Sequence, residues 1–132
     1  MVYRKMPKQS FPKTCGIKIS SKSKVVLEKR YLRKNEKGEI VETPEEMFRR
    51  IARNIASADA KYNNTVNTAP IENRFYDAMS NLEFLPNSPT LMNAGREFQQ
   101  LAACFVLPVE DSIESIFDAV KHAALIHQSG GG

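Results

Sequence analysis

The feature that most constrains this chain is the order of signals near its end. A compact apolar run, LAACFVLPV (101–109), meets a short polar break and then a helix-period segment reaching His127. A run of that length suits a strand buried on both faces, as in a parallel sheet or an α/β barrel, and Pro108 limits its end. Asp111 and Glu114, in DSIE, have the spacing of a capping box. The predicted helix 112–127 then turns Ile113, Ile116, Phe117, Val120 and Ala124 inward. Strand, tight turn and helix form the first half of a βαβ unit, which a second parallel strand completes. The sequence reaches QSGGG without offering one. The strand expected at 101–107 therefore takes its neighbour from an earlier segment or from outside these 132 residues.

The preceding hundred residues read as helices. In 21–32, Val25, Val26, Leu27, Tyr31 and Leu32 lie near one broad helical face, and the polar stretch after them turns at Gly38. Thr43 as cap, Pro44 at the first helical position and Glu46 closing a capping box mark the next helix. Its stripe is Phe48, Ile51, Ala52 and Ile55; Arg49, Arg50 and Arg53 lie off it and read as a solvated face. KYNNTVNTAP is a loop closed by Pro70. A helix at 71–83 presents Ile71, Phe75, Ala78, Met79 and Leu82 as core. LPNSPTLMNAG, with its prolines, asparagines and glycine, reads as a loop containing a turn or short helix.

Charge is unevenly placed. Residues 1–34 hold eleven Lys or Arg and one acid, Glu28, whereas the rest holds eight against fourteen. The basic start reads as a solvated leader, or as a nucleic-acid or phosphate contact. It lacks the apolar segment of a secretory signal, and no apolar run approaches the roughly 20 residues of a membrane helix. A cytoplasmic, non-membrane location is expected. Cys15 and Cys104 are far apart, with no CxxC or Cys/His cluster, so neither a structural zinc site nor a structural disulfide is expected.

Few residues announce chemistry individually. Cys104, inside the apolar run, has the setting of a small core residue. His122 and His127 are about 140° apart around a helix and cannot share a metal without distortion. Ser88, between Asn87 and Pro89, either stabilises a turn or holds a phosphate or sugar oxygen. Gly130–Gly132 suits a flexible tail, a helix end or a ligand loop.

Read in order, the pieces gain meaning. LEFLPNSPTLMNAG followed by QLAACFVLPVEDSIESIFDAVKHAALIHQSGGG closely resembles the amino-terminal catalytic region of class II, adenosylcobalamin-dependent ribonucleotide reductases. VVLEKRYLRKNEKGEIVETPEEMFRRIARNIA resembles the same group, so the likeness covers about residues 24–132. It implies a mainly α fold: a leader at 1–23, a helical amino-terminal region at 24–100, and at 101–132 the first strand and helix of a ten-stranded α/β barrel.

The resemblance also implies a reaction. The 2′-hydroxyl of a ribonucleotide is replaced by hydrogen; a thiyl radical abstracts the 3′-hydrogen, and two further cysteines supply the reducing equivalents and become a disulfide. Cys104 matches the first member of that redox pair, not the radical carrier. Ser88, Ala103, Cys104 and Gly132 match substrate contacts. Asp111, Ser112 and Ile113 match the start of an allosteric specificity site for a deoxynucleotide triphosphate near a dimer interface. No metal ligand is expected in this chain. The radical cysteine, its Asn and Glu helpers, the second redox cysteine and the cobalamin-binding surface all lack counterparts here, and Cys15 matches none of them. The expected partners are a ribonucleotide, the effector and the remaining portion of the reductase, with a homodimer when complete. A split gene, an intein at the glycine triplet and a shortened chain all fit, and so does a related reductase class using a different radical source, since the part that makes the radical has no counterpart here. The competing reading is a small basic helical module that binds nucleic acid or protein.

Overall fold

A computed structural model describes residues 16–132 of the chain; Cys15 and most of the basic leader lie outside the described residues. Five α-helices follow one another: α1 (Ser21–Arg30), α2 (Pro44–Ala56), α3 (Ala69–Ser80), α4 (Ser88–Asn93) and α5 (Ile113–Gln128), with a short 3-10 turn at Asp59–Lys61. Among the described residues the only ladder element is an isolated antiparallel bridge, Lys34 to Ile40, closing the turn at Gly38.

Helix α2 is the centre of the packing. Its start is the expected reciprocal capping box: the Thr43 amide donates to Glu46 Oε2 at 2.8 Å, and the Glu46 amide donates to Thr43 Oγ1 at 3.2 Å. Two of the orphan N–H groups at the helix entrance are satisfied in this way. Met47, Phe48, Ile51, Ala52 and Ala56 are buried along one side. Met47, Phe48, Ile51 and Ala52 form one core with Tyr76 and Met79 of α3, Leu91 of α4, Ala94 and Leu32, with Ile17, Leu27 and Leu101 at the margin. Full burial of a side chain such as Phe48 or Ile51 contributes about 1.5–3 kcal/mol.

Helix α3 departs from expectation. It begins at Ala69, so Pro70 occupies its first turn instead of closing the loop before it. Tyr76 and Met79 are buried, while Phe75 and Leu82, expected in the core, are exposed. The Arg49 guanidinium lies 3.6 Å from the centroid of the Tyr76 ring, a cation–π contact. The helix ends in a Schellman motif, with Leu82 N–H bonded to Met79 O and Glu83 N–H to Ala78 O, and Leu82 is left-handed at φ 61°. In α1 the apolar face is only partly used: Val25 and Val26 are exposed, and burial falls on Leu32 beyond its end.

The arginines of α2 are not a solvated face. Arg50 is nearly buried and pairs with buried Glu42 through Nε at 2.7 Å. It also donates to the carbonyls of Leu91 (3.3 Å) and Ala94, satisfying orphan acceptors at the end of α4. Glu42 further accepts from the Arg33 amide at 3.0 Å and lies 4.0 Å from Arg96. Gly95, at φ 71°, lets the chain turn past this pair; a Cβ there would stand 2.8 Å from Arg50 Cγ. Burial, and then the neighbouring Arg50 charge, hold the Arg96 guanidinium below its ordinary range, against the opposing pull of Glu42.

The strand expected at 101–107 is not formed as a strand: the segment is irregular, and Phe105 and Val106 are exposed. A strand buried on both faces needs neighbours on both edges, and among the described residues only Gly132 meets this segment with paired backbone hydrogen bonds. The barrel that would surround it is accordingly not seen. Helix α5 does form, but Ile113, Ile116, Phe117, Val120 and Ala124, expected inward, are exposed. The apolar period is present; a surface to receive it among the described residues is not. The cap also lies one residue later than DSIE implies. Ser112 Oγ accepts from the Ser115 amide at 3.1 Å, and Ser115 Oγ accepts from the Glu110 amide at 2.9 Å.

Candidate active site

Helix α4 carries three side chains that reach the chain entering the Cys104 segment. Asn87 caps α4 by accepting from the Thr90 amide (3.2 Å), and its Nδ2 donates to Leu101 O at 3.1 Å. Thr90 Oγ1 donates to the same carbonyl at 3.2 Å, and Asn93 Nδ2 donates to Gln100 O at 2.7 Å. An amide side chain can cap and donate at once because its oxygen and nitrogen face different partners. Segment 100–101 is therefore fixed to α4, and α4 to α2 through Arg50.

Three residues further on, the backbone meets the glycine triplet. Gly132 N–H donates to Ala103 O at 2.7 Å, and Phe105 N–H donates to Gly132 O at 2.8 Å. This is the hydrogen-bond pattern of a parallel pair centred on Cys104 and Gly132. The three glycines have separate tasks. Gly130, at φ 85°, ends α5 in a Schellman motif, its N–H on His127 O and that of Gly131 on Ile126 O. At Gly131 a Cβ would stand 2.6 Å from the Phe105 ring and 2.9 Å from Ile126 Cγ2. Gly132 makes the pairing itself.

The structure thus joins Ala103, Cys104 and Gly132 directly and brings Ser88 towards them through its neighbour Asn87. Ser88 is exposed, and its hydroxyl lies 3.0 Å from that of Tyr31. Cys104 is an exposed free thiol, not the core residue its apolar surroundings implied. Asp111, Ser112 and Ile113 lie at the opposite end of α5, which at 16 residues spans about 24 Å. Ser112 lines a groove of about 370 Å³ together with Pro108, Glu110, Glu114, Asp118 and His122. Asp111, released from capping, is exposed beside it. The carboxylates lining the groove disfavour a polyphosphate unless cationic groups accompany it.

Sequence reasoning missed Asn87, Thr90 and Asn93 as the fixings of this region, and Tyr31 as a neighbour of Ser88. The signal available for Asn87 was its place before Ser-Pro at a helix start. Nothing local marks the others. Among the described residues no group of three His, Cys, Asp or Glu side chains could hold a metal ion. No helix among them is long and apolar enough to cross a membrane.

Residues 18–99 match the family model described as the ribonucleotide reductase all-alpha domain. The chain belongs to this family. Among its relatives, the vitamin B12-dependent ribonucleoside-diphosphate reductase of Mycobacterium tuberculosis is 45% identical over 116 residues, covering 88% of this chain and 17% of that protein. The enzyme of the same name from Thermoplasma acidophilum is 39% identical over 170 residues, covering 88% of this chain and 22% of the relative. The ribonucleoside-diphosphate reductase large subunit of Trypanosoma brucei brucei is 39% identical over 111 residues, covering 80% and 12%. The chain therefore spans less than a quarter of the length of these relatives.

Proposed function

We propose that this chain is the amino-terminal portion of a vitamin B12-dependent ribonucleoside-diphosphate reductase, active only with the rest of the enzyme. The observation that carries the reading is the parallel pairing of Cys104 with Gly132 through Ala103 and Phe105. Such a pairing is what the start of a βαβ crossover would make, and the Cys104 thiol beside it is exposed. Cys104 serves as one of two reducing thiols. The substrate's 2′-hydroxyl leaves as water, the two thiols give up two electrons and two protons, and a disulfide forms between Cys104 and a cysteine of the remaining portion. Ser88 holds a phosphate of the ribonucleoside diphosphate, and the backbone at Ala103 and Gly132 lies against the nucleotide. Asp111, Ser112 and Ile113 open the allosteric site for a deoxynucleotide triphosphate, with cationic groups supplied from outside this chain. The complete enzyme is a cytoplasmic homodimer.

Adenosylcobalamin is assigned to the remaining portion, and no step of this chain is derived through it.

Complementation tests the reading. The chain is mixed with the remaining reductase portion, adenosylcobalamin and a dithiol, and reduction of a ribonucleoside diphosphate is measured. Turnover is expected with the native chain and its loss with Cys104→Ser, while association of the two portions persists. Full turnover by Cys104→Ser would remove the redox role.

A further inference from the structure

We propose that Tyr31 is a positioning residue of the substrate subsite, orienting the Ser88 hydroxyl so that its proton points at a phosphate oxygen of the nucleotide; the inference rests on the reading of Ser88 given above. Tyr31 is the residue that ends α1, and 57 positions separate it from Ser88, yet the two hydroxyl oxygens lie 3.0 Å apart. The tyrosine is held from both sides. Arg96 donates to its carbonyl at 2.6 Å, and Arg30 stands 5.8 Å from its ring centroid. Arg96 in turn lies 4.0 Å from Glu42, so the backbone at Tyr31 is tied to the buried ion pairs of α2.

The chemistry gives the bond a direction. A phenol oxygen shares its lone pair with the ring, so a phenol donates better and accepts worse than an aliphatic alcohol. Tyr31 therefore donates, and Ser88 Oγ accepts. A serine hydroxyl has one proton and two lone pairs. With one lone pair occupied by Tyr31, its proton is left for an outside acceptor, and the bond it receives strengthens the bond it gives. An anionic phosphate oxygen, which only accepts, fits that arrangement better than a ribose hydroxyl. The bond is exposed at both ends, so its worth to folding is small and its effect falls on orientation.

The test is Tyr31→Phe in the chain assembled with the remaining reductase portion. Loss of one hydrogen bond behind the contact should raise KM for the ribonucleoside diphosphate about three- to tenfold, with kcat within about twofold. The inhibition constant of inorganic pyrophosphate as a competitor should rise by the same factor. Tm should move by less than about 2 °C, which separates the effect from misfolding. In a Ser88→Ala background the same substitution should change nothing further. Unchanged KM and pyrophosphate inhibition in Tyr31→Phe overturn the proposal, as does an equal loss in the Ser88→Ala background. A native assembly that reduces no ribonucleotide overturns the reading of the whole chain instead, and this proposal with it.

Discussion

Helices α2 and α5 begin with the same kind of side-chain cap, and both carry an apolar stripe. Yet α2 buries five residues and α5 buries none. Among the described residues, every buried hydrophobic residue lies from Leu32 to Ala94. The contrast separates two things that a sequence pattern mixes. Capping and periodicity are local, and they decide that a helix forms. Burial depends on what arrives from elsewhere in the chain, or from another chain. For α2 the surroundings are α3, α4 and the Glu42 turn. For α5 they are absent among the described residues, and its face of Ile113, Phe117 and Val120 stays in water.

Paired truncations break the comparison most sharply. Phe48→Ala should destabilise the chain by about 3–5 kcal/mol, whereas Phe117→Ala should fall within about 0.5 kcal/mol. Equal losses in denaturant melts would mean that α5 is packed after all. Next in size is Glu42→Gln, which leaves Arg50 buried without its full countercharge and should cost about 3 kcal/mol by the same melts. Thr43→Ala removes one half of a capping box on a packed helix and should lower stability by about 1 kcal/mol. Ser112→Ala should leave the global transition unmoved and show only as reduced far-ultraviolet helicity of α5. One further effect has the opposite sign. Leu82 is exposed and left-handed, where Gly130 stands in the matching position after α5, so Leu82→Gly should stabilise by up to about 1 kcal/mol. A loss on that substitution would show that the exposed leucine contributes more than its backbone geometry costs.

The same division explains what could be read in advance. The Thr43–Glu46 box, the turn at Gly38 and the helix after Asp111 are written within four or five residues, and they form. Arg50 could not be read, because its partners Glu42, Leu91 and Ala94 lie 8 to 44 positions away. Tyr76 is not marked by the apolar stripe of Ile71, Phe75, Ala78, Met79 and Leu82, because a ring beneath Arg49 has no sequence signature. The apolar run at 101–107 has the composition of an interior strand, but composition cannot supply a neighbouring edge. Cys104 and Ser88 were legible as site residues only by resemblance. Their geometric connection, through Asn87 and Leu101, depends on the fold.

Gly131 carries one more consequence. The chain after α5 lies beside Cys104 because no atom occupies the space between the Gly131 backbone, the Phe105 ring and Ile126. A single added methyl group would force the Phe105 ring, the Ile126 side chain or the backbone at Gly131 to shift. The alignment of Gly132 with residues 103–105 therefore depends on an empty volume smaller than a methyl group. A shift of one residue in that pairing would bring a side chain of the opposite face beside Gly132 in place of Cys104.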